Sequence, residues 1–172
     1  PNSDNHIAGS MININENEIY QTIDGFGYTL TGGSAMHLNN LDRTTRAQIL
    51  QELFNTDNNS IGVSYLRLSI GASDLDEIVF SYNDLPPGQT DQNMTHFDLG
   101  HDRLHLIPIL KEILAINPSI KLMGSPWSPP IWMKTNTNSV GGSLLTEFYD
   151  AYALYFVRYI QEMQKEGITI DA

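Results

Sequence analysis

Apolar and polar residues alternate through Met11-Ile12-Asn13-Ile14-Asn15, and a period of two is that of a half-buried strand. Residues 19–23 predict a second strand. The pattern then breaks at Asp24-Gly25-Phe26-Gly27-Tyr28 and runs through the small residues Thr31-Gly32-Gly33-Ser34-Ala35. From residue 43 to 54 the spacing becomes helical: Ala47, Ile49, Leu50, Leu53 and Phe54 fall on one face, and Asp42 stands where a cap belongs. Gly62 precedes a strand over 63–69. A long loop carrying Asp74, Asp76 and Pro86-Pro87-Gly88 separates it from a second helix over 102–116, with Leu104, Ile107, Leu110, Ile113 and Leu114 apolar. Pro108 inside that run predicts a kink, or a helix restarting with proline in its first turn. A short strand over 120–123 follows. A third helix, capped by Thr146, runs to about residue 166, where Gly167 stops it. Residues 168–170 open one more strand.

Strand and helix therefore alternate, which is the pattern of parallel βαβ units, as in a barrel or a doubly wound sheet. In both, chemistry gathers at the C-terminal ends of the strands. Tyr28, Asp74 and Trp127 each fall after a predicted strand. No Gly-x-Gly-x-x-Gly loop follows the first strand, so a dinucleotide site is not expected.

Composition narrows the partners. The chain has 172 residues, 41% of them hydrophobic, enough for one domain with a core, and a net charge of −11. A nucleic-acid partner needs clustered Lys and Arg, and an anionic membrane surface needs the same, so neither is expected. A neutral substrate fits. There is no cysteine, hence no disulfide or thiolate metal site. No apolar run approaches the roughly eighteen residues of a spanning helix. Residues 1–10 read as a polar leader, consistent with a signal already removed and a secreted or periplasmic protein. Asn58-Asn59-Ser60 and Asn93-Met94-Thr95 fit the glycosylation sequon, a pattern short enough to arise by chance.

Both tryptophans and three of the eight prolines fall in Gly124-Ser125-Pro126-Trp127-Ser128-Pro129-Pro130-Ile131-Trp132-Met133-Lys134-Thr135-Asn136. Prolines fix φ and remove donors, so this segment is a stiff loop at a strand end. An indole held there suits stacking on a sugar ring. Trp127 reads either as that stacking residue or as plain core, and its Pro-Trp-Ser-Pro-Pro setting favours the site; Trp132 is assigned to packing. Asp74 reads either as a loop or cap aspartate or as an acceptor for sugar hydroxyls. Arg67 alternates with Leu66 and Leu68, so it points away from the helices. It reads either as half of a structural ion pair or as an arginine orienting active-site carboxylates. His101 and His105 share a predicted helix face but lack the glutamate of a zinc-protease motif, so no metal and no cofactor are expected. No nucleophile elbow or Ser-His-Asp set is evident. The aromatic run Phe148, Tyr149, Tyr152, Tyr155, Phe156 and Tyr159 on the last helix is assigned to the core.

Four segments together resemble glycoside hydrolase family 30, which includes glucosylceramidases and β-1,6-glucanases. They are Asp24-Gly25-Phe26-Gly27, Tyr65-Leu66-Arg67-Leu68-Ser69 with Gly71-Ala72-Ser73-Asp74, Phe80-Ser81-Tyr82-Asn83-Asp84, and Ser125-Pro126-Trp127-Ser128-Pro129-Pro130 through Asn136. Their order and spacing match the family over residues 18–172. The resemblance implies an α/β fold, the N-terminal part of a (β/α)8 barrel, with residues 11–23 contributing strands to a side β-domain. Residues 24–172 would be three βα units and the start of the fourth strand. It also implies a retaining β-glycosidase whose two glutamates sit about 5–5.5 Å apart. Asp74 would bind hydroxyls of the sugar in the −1 subsite, Trp127 would line it, and Arg67 would lie beneath the catalytic carboxylates.

In that family the acid/base glutamate follows the fourth strand in an Asn-Glu-Pro motif, and the nucleophile comes later still. Both are expected beyond Ala172, so the segment alone should be inactive and should need the remainder of the barrel as its partner. The implied substrate is a carbohydrate or glycolipid with a β-glucosidic bond; xylan is the rival within the family. A non-catalytic carbohydrate-binding half-barrel using the same Trp127 and Asp74 is the alternative of a different class.

Overall fold

The computed structural model describes residues 11–57 and 59–172. Three parallel strands, β1 (Gly27–Leu30), β2 (Tyr65–Ile70) and β3 (Lys121–Pro126), form one sheet in the order β1-β2-β3. Helices α1 (Gly32–Asn40) and α2 (Arg43–Phe54) connect the first pair, α3 (Leu106–Ile116) connects the second, and α4 (Tyr149–Lys165) follows β3. Parallel neighbours need such crossovers, because a hairpin cannot return the chain in the same direction.

Register sorts the side chains. Thr29 stands beside Arg67 and Arg67 beside Met123, while Leu30, Leu68 and Gly124 form the next row. Adjacent rows face opposite ways. Leu30, Leu66, Leu68 and Leu122 are buried against α3, α4 and α2 residues such as Ile109, Tyr159 and Phe54. The opposite face carries Arg67, Ser69 and Ser125.

Helix α2 forms where its spacing predicts, with Asp42 Oδ1 accepting from the N–H groups of Thr44 and Thr45, both at 3.0 Å. The helix over 102–116 is in fact two pieces. A 3₁₀ turn at Gly100–Arg103 precedes α3, and Pro108 occupies the first turn of α3, where its missing donor costs nothing. Gly167 ends α4 at φ +81°, a left-handed conformation that favours glycine.

Several expectations change. Residues 11–15 and 19–23 form no strand, and Met11, Ile12, Ile14, Ile19 and Tyr20 lie exposed. No described strand pairs with them, and an unpaired strand does not hold in water. The first strand is β1 itself, so Tyr28 lies within it rather than after it. Its ring centroid is 6.4 Å from that of Phe54 on α2, which takes Tyr28 out of the site. The small-residue stretch begins α1, with Thr31 Oγ1 accepting from Ser34 N at 3.1 Å. Thr146 opens a 3₁₀ turn without capping α4, which begins at Tyr149. Residues 168–170 are not a strand, although Asp171 N and Gly124 N pair across the β3 edge with Leu122 O and Ala172 O, each at 2.8 Å. The leader, residues 1–10, and Asn58 of the first sequon lie outside the described residues. Among the described residues no helix is long and apolar enough to cross a membrane.

Candidate functional site

The site is built from two loops at the C-terminal ends of β2 and β3. After β2 the chain turns at Gly71, whose φ of +79° favours glycine. Ala72 N then bonds Phe80 O at 3.0 Å, closing residues 72–80 into a compact excursion. Inside it the two aspartates have different work. Asp76 Oδ2 accepts from Ser73 N at 2.7 Å and from Ser73 Oγ at 2.8 Å, so it is consumed in holding the turn. Asp74 is exposed and makes no hydrogen bond among the described residues. The excursion is anchored from below by α1. A Cβ on Gly33 would sit 2.0 Å from Leu75 O, and one on Gly32 would sit 1.8 Å from Asp76 Oδ1. The Gly-Gly pair lets the loop lie directly on the start of α1.

Residues 80–85 continue the same wall. Ser81 N and Oγ both donate to the Asp84 carboxylate, at 2.7 and 2.6 Å. Tyr82 is buried; its hydroxyl donates to Asp102, and its ring stacks on Tyr159. Asp102 is 4% exposed. Burial raises its pKa to about 7, the Tyr82 bond opposes that rise, and nearby Asp76 adds to it. Asn83 Nδ2 donates to buried Asp91 at 3.0 Å.

The second wall is the tryptophan loop. Trp132 packs edge-on against Phe148 at 5.0 Å, and its Nε1 donates to Asn83 O at 2.9 Å. Its assignment to packing holds, and that bond also ties the second wall to the first. Trp127, directly after β3, is 51% exposed. Lys134 sits at the base of the loop. Its Nζ donates to Ser128 Oγ at 3.2 Å and to Ser139 O at 2.8 Å, and its backbone bridges Leu144.

Between the walls lies a cavity of about 260 Å3, lined by Asp74, Asp84 and Ser81 on one side and by Trp127, Ser128 and Val140 on the other. The structure thus brings Asp74 and Trp127 to one cavity. It holds acceptor carboxylates, hydroxyls and one indole face, a set suited to a polyhydroxylated ring. Arg67 does not line it. Its Nη2 donates to Ser125 Oγ at 3.0 Å, and it borders a separate depression with Thr29, Tyr65 and Met123. The structural ion pair considered for Arg67 is absent: no carboxylate among the described residues pairs with it.

A third cavity, about 250 Å3, is lined by Asp76, Glu77, His101, Asp102 and His105. Two of its carboxylates are engaged elsewhere, by Ser73 and Tyr82. His101 and His105 do not share a helix face, since one lies in the 3₁₀ turn and the other precedes α3; His105 Nδ1 meets Asn39 Nδ2 at 3.0 Å. Among the described residues no group of three or more metal-ligating side chains comes together.

Sequence reasoning missed Lys134 and Asp102. Asp102 stands between His101 and Arg103 and Lys134 before Thr135-Asn136, so nothing in the local sequence marks either as buried.

This geometry agrees with known proteins. The model of the glycosyl hydrolase family 30 TIM-barrel domain matches residues 23–172. An endo-1,6-β-D-glucanase of Neurospora crassa is 36% identical over 157 residues, covering 88% of this chain and 32% of that protein. The lysosomal acid glucosylceramidase of Mus musculus is 29% identical over 172 residues, covering 96% of this chain and 32% of that protein. A solved endo-β1,6-glucanase superposes with a TM-score of 0.79 at 39% identity, covering 91% of this chain and 35% of the other. The chain spans about a third of the length of the relatives it matches. With the parallel sheet and the loop-borne cavity at its C-terminal ends, the match over residues 23–172 settles the matter: the chain belongs to the TIM-barrel domain of glycosyl hydrolase family 30.

Proposed function

We propose that this chain is the sugar-holding N-terminal part of a retaining β-glycosidase that cleaves β-glucosidic bonds, of the β-1,6-glucan or glucosylceramide kind. The observation that carries this is the joint lining of one cavity by Asp74 and Trp127 at the ends of parallel strands. Asp74, free of internal bonds, accepts hydrogen bonds from hydroxyls of the ring in the −1 subsite. Trp127 offers its face to the apolar side of that ring. Arg67, held by Ser125 and without a carboxylate partner among the described residues, supports the catalytic carboxylates from below. Those glutamates, an acid/base and a nucleophile, belong to the part of the protein beyond Ala172. Residues 11–23 belong with a side β-domain. A secreted or periplasmic location accompanies this reading.

The test has two arms. The purified 172-residue chain should not turn over an aryl β-glucoside; ordinary turnover by it would refute the assignment of the reacting groups. The full-length protein should release products from β-1,6-glucan or glucosylceramide in preference to xylan. Preference for xylan would place it in the other branch.

A further inference from the structure

Lys134 is 6% exposed, yet no carboxylate among the described residues pairs with it. Its ammonium meets only a serine hydroxyl and a backbone carbonyl. Burial lowers its pKa from the ordinary lysine value. A cation taken out of water without a counter-charge is costly, and a methionine of similar length would pack there more cheaply. Such a group persists where its bonds fix something that apolar packing would leave loose.

What it fixes is visible from its partners. Ser128 adjoins Trp127, and its Oγ also donates to Pro129 O at 2.9 Å. Ser139 adjoins Val140, the exposed residue on the far rim. Ser128, Ser139, Trp127 and Val140 all line the Asp74 cavity. The stretch between them contains Thr137 at positive φ and runs into Gly141 and Gly142, also at positive φ; Asn136 Nδ2 donates to Val140 O at 2.8 Å and Thr135 N to Ser143 O at 2.9 Å. Without the lysine, no side-chain bond among the described residues would join Ser128, beside the indole, to Ser139, beside the rim.

We propose that Lys134 is the positioning residue of this cavity. Its buried ammonium ties Ser128 to Ser139, sets the distance between the Trp127 wall and the Val140 rim, and thereby sets affinity for the sugar. The proposal rests on the sugar-binding reading of the cavity. Lys134 does not line the cavity itself, so it acts through the two serines.

The experiment titrates the full-length protein with the S-linked analogue of gentiobiose, a β-1,6-linked glucose disaccharide that it cannot hydrolyse, following binding by calorimetry. It compares wild type, Lys134→Met, Ser128→Ala, the double variant and Trp127→Ala. Amide hydrogen exchange over residues 128–140 is measured on the same samples. Methionine keeps the stem packed, and thermal melts confirm the fold. Lys134→Met should weaken binding about tenfold, the scale of losing a hydrogen bond to a charged donor. It should also speed exchange over 128–140. Ser128→Ala should weaken binding less, and the double variant should bind no worse than Lys134→Met, because both changes cut one tether. Unchanged affinity in Lys134→Met, with Trp127→Ala abolishing binding, overturns the proposal and leaves the sugar reading intact; so does a double variant whose losses simply add. Absence of binding by wild type overturns the sugar reading itself, and the proposal with it.

Discussion

Tyr155 and Tyr82 meet twice: their rings stack with centroids 5.9 Å apart, and the Tyr155 hydroxyl accepts the backbone N–H of Tyr82 at 3.2 Å. One helical turn on, Tyr159 stacks on the same Tyr82 ring at 5.7 Å, but its hydroxyl is buried without a partner. Two tyrosines of one helix thus make similar contacts with opposite polar outcomes. Tyr155→Phe leaves a buried N–H unsatisfied and should cost about 1–3 kcal/mol. Tyr159→Phe removes an unpaired hydroxyl and should be neutral or stabilising by up to about 1 kcal/mol. Urea denaturation of the two variants separates them, and equal losses would contradict the pairing.

Asp102 makes stability depend on pH in an unusual direction. Its folded pKa is raised to about 7, chiefly by burial, so the folded chain keeps a proton that the unfolded chain releases near the ordinary carboxylate value. Folding is therefore favoured on the acid side, and that advantage is lost as pH rises through about 7. Asp91 has a depressed pKa, held down by Asn83, Thr95 and His96, and loses its contribution only in strong acid. Asp102→Asn keeps an acceptor for Tyr82 and cannot ionise. Its melting temperature should exceed that of wild type by several degrees at pH 8 and match it near pH 4. A wild-type melting temperature that climbs from pH 5 to pH 8 would count against a neutral Asp102.

The aspartates after β2 should part company under substitution. Asp74→Asn leaves the fold unchanged, because Asp74 bonds nothing within the described chain, but should weaken binding of the S-linked gentiobiose analogue by about tenfold or more. Asp76→Ala should leave Ser73 N without its acceptor and cost about 1.5–3 kcal/mol. Calorimetry for the ligand and thermal melts for the fold give the two readouts.

Gly33→Ala tests how the Asp74 loop is seated. The new Cβ would sit 2.0 Å from Leu75 O, too close for any contact, so the loop must move. A loss of about 2–3 kcal/mol and weakened sugar binding are expected together. Loss of stability with binding intact would show that the loop finds its place without α1.

The elements readable in the sequence were those with a local cause. Asp42 caps α2 through its own carboxylate, and the leucines of β2 alternate because one face is buried. Helix α1 was hidden for the opposite reason. Gly32, Gly33 and Ser34 have little preference for helix, and their conformation comes from the Thr31 cap and from a loop more than forty residues later resting on them. The break before α3 coincides with Asp102 turning inward to Tyr82, a partner twenty residues away. The placement of Trp127 and Asp74 beyond their strands was legible because strand ends and stiff loops are visible in one dimension. Lys134 was not, since a buried lysine looks like a surface one until its serines are located. Residues 11–15 alternate like a strand and yet pair with no strand among the described residues, because pattern specifies a face and not a neighbour.

The order of strands in the sheet is also their order in the chain. Each strand docks on the one made just before it, and no late strand has to be inserted between two early ones. A chain leaving the ribosome can therefore build this sheet one unit at a time from its first edge. The Asp74 loop and the Trp127 loop hang on consecutive strands, so both walls of the cavity can be in place while translation is still under way.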